Sequence, residues 1–183
     1  MLVSVMNSFP FDWMIRQKVG VHVSIYILSE LPLPMLVAGA DTFLAHGCLR
    51  LCCNDAAFAP LWCDQLSAVW SESRPPQSWP AIPAESDRWH LRATMDAAVA
   101  HGYALSRREY ERILGSFRHK SFAAAPGLCL AAFDELARIG QDAFCRRHDP
   151  YWDIPLVTTL AHPIIDLPVA HSQTGCGTAK PIR

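Results

Sequence analysis

At 183 residues, with a hydrophobic fraction of 51%, the chain can bury one ordinary core or two small ones, which excludes a wholly disordered tail. A charged fraction of 18% and a formal net charge of −1 exclude a global electrostatic attraction to nucleic acid, so contact with a polyanion needs a local patch. The cysteines, at 48, 52, 53, 63, 129, 145 and 176, are odd in number and irregular in spacing, which argues against a disulfide framework and for a reducing, cytoplasmic setting.

In chain order, Val5, Phe9, Trp13 and Ile15 approximate helical spacing and predict a short helix from Phe11 to Val19, stopped by Gly20. Val21, Val23, Ile25 and Ile27 then alternate with His22, Ser24 and Tyr26, a period-two pattern of β-branched and aromatic residues that predicts a strand. No apolar run approaches the roughly 18 to 20 residues of a membrane span, so no membrane partner is expected. The first residues also have the wrong order for a secretory signal, the basic residue following the apolar part. A start on amphipathic material without a capping turn reads as a fragment or a separately encoded piece.

Pro32 and Pro34 deny backbone donors and predict an extended connector. Beyond it, Asp41 to Asn54 and Asp55 to Trp70 suit two helices, with Asp41 and Asn54 or Asp55 as caps. Ser71 to Pro83 is proline-rich and reads as a loop. A clear helix starts near Ser86 and turns Trp89, Leu91, Met95, Ala98 and Val99 inward, with Arg88, Arg92 and Asp96 on another face and Arg92 paired to Asp96 four residues on. It ends near His101 and Gly102. Ser106 caps the next helix, Arg107 to Leu114, with Glu109 in the capping-box position. After a loop holding Pro126 and Gly127, Leu128 to Arg146 predicts a third helix packed through Leu130, Phe133, Leu136 and Ile139. From His148 the repeated prolines predict an extended tail, disordered from about Ala170. The fold class expected is therefore mainly α with a small α/β piece at 1–34, a helical domain at 35–146 and an extended tail at 147–183.

No glycine-rich cofactor loop, serine nucleophile elbow or paired metal-ligand spacing occurs in the sequence, so no catalytic residue, bound cofactor or metal is expected in this chain. His46, Cys48, Cys52, Cys53 and Cys63 lack the repeated knuckle of a structural zinc site and read as a histidine among small buried cysteines on a core helix. The eight histidines show no recognisable carboxylate partner and read as surface or core residues. Asp149-Pro150-Tyr151-Trp152 is a partial version of the acidic-or-amide, proline, proline, aromatic motif of amino-methyltransferases. It lacks the second proline, and Tyr151 and Trp152 read instead as pins that hold the tail to the body.

Basic residues concentrate in two places: Arg16 and Lys18 flank Gln17, and Arg88, Arg92, Arg107, Arg108, Arg112, Arg118 and Lys120 lie in the helical hairpin. They suit phosphate contact, and Gln17 suits an adenine edge. Against this, Glu85, Asp87, Asp96, Glu109 and Glu111 are interspersed, the pattern of a solvated helix face.

Asn7-Ser8-x-x-Phe11-Asp12-x-x-x-Arg16-Gln17-Lys18-Val19-Gly20, then Leu31-Pro32-x-Pro34, resembles the end of the target-recognition region in Eco57I-type adenine-specific DNA methyltransferases and fused restriction-modification enzymes. Arg88-Trp89-His90-Leu91-Arg92-Ala93, continuing through Asp96-Ala97 to Tyr103-x-Leu105-Ser106-Arg107-x-Glu109-Tyr110-x-x-Ile113-Leu114, is similar to the helical segment that follows there, as is Leu128 to Leu136. The resemblance runs collinearly over roughly residues 1 to 140. It implies a DNA-recognition and scaffold fragment in a restriction-modification or phage-defence system, with duplex DNA and a methyltransferase catalytic domain or subunit as partners. S-adenosylmethionine would be the parent enzyme's cofactor, and N6-methylation of adenine its reaction. The residues expected at DNA are Arg16, Gln17, Lys18, His22, Ser24, Arg88, Arg92, Arg107 and Arg108. This chain departs from the family pattern between Phe117 and Pro126, so the resemblance carries no role over to Arg118 or Lys120. A subunit-docking module without DNA contact, presenting Phe11, Trp13 and Tyr26, is the alternative expectation, and a small metal-dependent enzyme is the third.

Overall fold

The computed structural model describes residues 1–20, 22–66 and 82–157; the expected loop at 71–81, Trp70 and the tail beyond 157 lie outside them. Two helices open the chain, α1 (Leu2–Met6) and α2 (Phe9–Lys18). Ser8 caps α2 by accepting from Phe11 N, and Pro10 sits in its first turn, where a missing N–H costs nothing. The Ser4 hydroxyl of α1 donates to the Leu44 carbonyl at 2.6 Å, tying this end to the body.

The strand expected over Val21 to Leu28 does not form: residues 22–24 are irregular, Ile25–Ser29 is a short helix, α3, and no strand occurs among the described residues. Alternation asks for a neighbouring edge to take the backbone donors. Here the Ser24 side chain accepts from Ile27 N and the Ser24 carbonyl from Leu28 N, so a capped turn satisfies them locally. The α/β character expected for 1–34 is thereby replaced by helix.

The proline connector lies against the end of a later helix, with Met35 N donating to the Gly102 carbonyl at 2.8 Å and the Tyr103 hydroxyl to the Pro32 carbonyl at 2.9 Å. Helix α4 (Ala40–Cys52) follows, started by Gly39 in the left-handed region (φ 85°) rather than by Asp41. The helix expected from Asp55 is divided into a 3-10 turn, Ala56–Phe58, which Asp55 caps, and α5 (Ala59–Leu66).

Helix α6 (Glu85–Gly102) is the axis of the molecule. The expected single inward face is too narrow, because the unbroken run from Ala93 to Ala100 is buried. Alanines at 93, 97, 98 and 100 let neighbours approach on all sides, and α1, α2, α4 and α8 all pack on it. The Ser106–Glu109 capping box is present and starts α7 (Arg107–Gly115). Pro126 and Gly127 lie inside the first turn of α8 (Ala125–Ile139), not in a loop. The single helix expected to Arg146 is broken by Gly140 at φ 79°, after which α9 (Gln141–His148) runs on.

The main core joins Val5, Phe11 and Leu31 to residues of α4, α6, α7, α8 and α9. A satellite cluster of Cys53, Trp62, Leu66, Tyr151 and Ile154 lies beside it. No described helix is long and apolar enough to cross a membrane.

Candidate nucleic-acid interface

On α2, Arg16 bonds Asp12 through Nε and Nη2 at 3.0 and 2.8 Å, and its guanidinium lies 4.7 Å from the centre of the Phe117 ring. Gln17 turns its amide back onto the Trp13 carbonyl, and Lys18 meets Glu30 at 3.1 Å. His22 is exposed, and Ser24 caps α3. These two residues were expected on one strand face; with the strand replaced by a capped helix, they share no such face. Arg16, Gln17, Lys18 and His22 remain at the surface, so they reach solvent from the end of one helix and the link after it.

The hairpin cations separate into committed and uncommitted groups. Arg88 is largely enclosed and donates to the Leu51 carbonyl at 2.8 Å and the Ile82 carbonyl at 3.4 Å, joining α4 to α6. Arg92 lies over the Trp89 ring at 4.9 Å and meets Glu85 at 3.4 Å. The Arg92–Asp96 pair read from spacing does not exist. Asp96 is buried, its Oδ2 accepting from Phe9 N at 2.7 Å and its Oδ1 from the Tyr110 hydroxyl at 2.6 Å. Burial pushes this carboxyl up from its usual 3.8 to about 7, against the opposing pull of those two bonds. Arg107 bonds Asp134 at 2.9 Å and also meets Glu111. Arg108 is exposed and forms no ion pair among the described residues, as do Arg112, Arg118 and Lys120, which lie on the same helix and the loop that leaves it.

Two histidines expected to lack carboxylate partners have them. His46 Nδ1 and Asp149 Oδ2 are 2.6 Å apart and fully buried, linking α4 to the turn after α9 across 103 residues of sequence. His148 Nε2 lies 2.9 Å from Glu135 Oε2, and Arg147 shares that carboxylate, which is held below its usual range first by the Arg147 bond. Spacing gave no signal for either contact, because each joins one helix to a separate element of the chain. Asp149 also accepts from Tyr151 N, and Tyr151 is buried on the satellite cluster. Trp152 lies beneath the Arg146 guanidinium at 4.0 Å. The Asp-Pro-Tyr-Trp segment is thus folded onto the body.

The cysteines near His46 are not uniformly buried: Cys53 is, whereas Cys52 and Cys63 are exposed. Cys48 and Cys52 bring their sulfurs to 3.8 Å, and burial first, then Cys48, pushes the Cys52 thiol up to about 11. No group of three or more His, Cys, Asp or Glu side chains among the described residues is placed to hold a metal ion. A cleft of about 480 Å³ opens between α1, α4 and α6, with Val3, Asn7, Cys52, Arg88 and Trp89 on its walls. Its polar groups bond mainly to the surrounding protein: Ser4 to Leu44, Asn7 to Val3, Ser8 to Val5 and Arg88 to Leu51. Comparison with protein-family models, curated proteins and solved structures finds no match to this chain.

Proposed function

We propose that this chain is a DNA-recognition and scaffold part of a site-specific adenine-N6 DNA methyltransferase of a cytoplasmic restriction-modification or phage-defence system. Methyl transfer from S-adenosylmethionine takes place on a partner catalytic domain or subunit. The observation that carries the reading is that the resembling blocks, separated by more than fifty residues in sequence, meet in space. Phe9 N bonds Asp96, Met35 N bonds the Gly102 carbonyl and the Tyr103 hydroxyl bonds the Pro32 carbonyl. The segment resembling the end of a target-recognition region is therefore braced directly on the segment resembling the following helices. Such a brace suits an enzyme that flips an adenine out of the duplex, since flanking base pairs must be held while the base is displaced.

The test is retention of duplex DNA by the purified chain across a salt series. Weak binding that falls steeply with salt, without methyl transfer, is the expected result. Robust methyl transfer by these 183 residues, or no retention at low salt, overturns the reading.

A second reading, a subunit-docking module without DNA contact, is favoured by one feature. Arg16, Lys18, Arg92 and Arg107 all have internal carboxylate partners, while Val23, Ile25, Tyr26, Leu33, Met35 and Val37 are exposed. Phe11, expected on the docking face, is buried, so the face is carried by α3 and the connector. Arg16→Glu with Lys18→Glu separates the two: loss of a DNA retention that wild type shows supports the first, and loss of subunit assembly, with no DNA retention by wild type or variant, supports the second.

A further inference from the structure

The α7 helix carries five charged side chains, Arg107, Arg108, Glu109, Glu111 and Arg112, and the fold commits three of them. Glu109 Oε2 accepts from both the backbone N–H and the hydroxyl of Ser106. Glu111 meets Arg107, whose Nε also donates to Asp134. Arg108 and Arg112 remain, four residues apart and so on one face, opposite the side that buries Tyr110, Ile113 and Leu114. Arg112 stands near enough to Glu109 to help hold that carboxyl below its usual range, yet makes no ion-pair contact with it.

The loop after α7 carries two further exposed cations. Its two rings turn inward: Phe117 meets Phe9 at 5.0 Å, and His119 meets Phe9 at 5.2 Å while bonding the Leu114 carbonyl at 2.8 Å. Arg118 and Lys120 flank the anchored His119 and are exposed. Arg16 of α2 reaches this corner by lying over Phe117. The loop is thus fixed from below by aromatic packing, and its cations are presented with little ordering left to do on binding.

We infer that the ridge formed by Arg108, Arg112, Arg118 and Lys120, with Arg16 at its edge, is the surface that meets the phosphates of duplex DNA. This rests on the function proposed above and locates the contact. Arg88, Arg92 and Arg107 are spoken for by carbonyls, a ring and carboxylates, and exchanging those partners for phosphate forfeits existing bonds. Arg108, Arg112, Arg118 and Lys120 have no such ion pair to forfeit among the described residues, whereas Arg16 keeps its bond to Asp12. Phosphate recognition positions a protein on DNA without reading sequence, and arginine and lysine are the side chains that supply it.

The experiment measures the affinity of the full chain for a duplex oligonucleotide over a range of salt, for wild type and three variants. Each of Arg108→Ala with Arg112→Ala, and Arg118→Ala with Lys120→Ala, is expected to lower the slope of log K against log salt by about two, roughly one per phosphate contact removed. Arg107→Ala is expected to leave the slope unchanged. Circular dichroism checks that the exposed substitutions preserve helix content. Full wild-type slope in both double variants overturns the ridge while the proposed function stands. Failure of wild type itself to retain DNA at low salt overturns that function and the ridge with it. Binding of anionic-lipid vesicles that the double variants lose, with DNA retention unmoved, assigns the ridge to a lipid surface and also overturns the inference.

Discussion

Asp96 joins the start of α2 and the middle of α7 to α6 through the two oxygens of one carboxyl. Its oxygens take the first N–H of α2 and the Tyr110 hydroxyl of α7, and Tyr110 in turn approaches Cys129, whose thiol burial pushes up to about 12. A carboxyl whose pKa rises from 3.8 in the open chain to about 7 in the fold binds its proton more tightly when folded. Its contribution is complete below about pH 4 and is lost as the pH climbs through about 7. Asp96→Asn keeps an acceptor and does not ionise, so it should flatten the fall in urea midpoint between about pH 5 and about pH 8. Asp96→Ala leaves a buried N–H and a buried hydroxyl without this acceptor and should cost about 2 kcal/mol at either pH. Identical pH profiles for wild type and Asp96→Asn would remove the assignment.

At the scale of elements, the end of α6 shows two neighbouring positions with opposite demands. Ala104 has φ 54° and follows a helix end in which Leu105 N bonds the Ala100 carbonyl, the arrangement normally completed by a left-handed glycine. Ala104→Gly should stabilise by about 0.5 kcal/mol, the relief of left-handed strain exceeding the added freedom of the unfolded chain. Gly102, two residues earlier, permits the proline connector to lie close. A Cβ there would stand 2.9 Å from Pro34 Cβ and 3.0 Å from Leu36 Cδ2, so Gly102→Ala should destabilise by about 1 to 3 kcal/mol. Thermal melting of the two variants reads both signs, and a shift in the same direction for both contradicts the account. Helices with strong local signals were legible here: the Ser106–Glu109 box and the core spacing of Phe133 and Leu136, whereas the Ser8 cap that starts α2 at Phe9 was not read. The strand at 21–28 was misread because alternation describes a face, not the neighbour that must pair with it.

At the scale of the whole molecule, the His46–Asp149 bond joins the satellite cluster to α4, while Val157 N on the Gln65 carbonyl ties the segment after α9 to α5 within that cluster. Asp149→Ala leaves a buried imidazole facing no carboxylate and should cost about 2 to 3 kcal/mol. Hydrogen exchange should then speed at the Tyr151, Ile154 and Val157 amides before it changes along α6, since small clusters with few links open first. Uniform acceleration through both regions would show one cooperative unit instead. The same long-range organisation governs the interface. Seven of the residues expected at DNA are cations or a glutamine, and their availability depends on which carboxylates the fold brings beside them.

Sequence by itself determined that the chain is mainly helical, where the helix with the Ser106–Glu109 capping box starts, and that its basic residues cluster near α2 and the α6–α7 hairpin. Those properties follow from interactions within about four residues, which period and capping chemistry record. Tertiary structure alone decided that residues 25–29 are helix, that Asp96 and His46 face buried partners, and which cations stay uncommitted. The last two turn on groups distant in sequence, such as Asp96 with Phe9, His46 with Asp149 and Arg107 with Asp134, and the first on the absence of a strand edge beside 22–28 among the described residues. A burial or an ion pair across such distances leaves no spacing for a sequence to display.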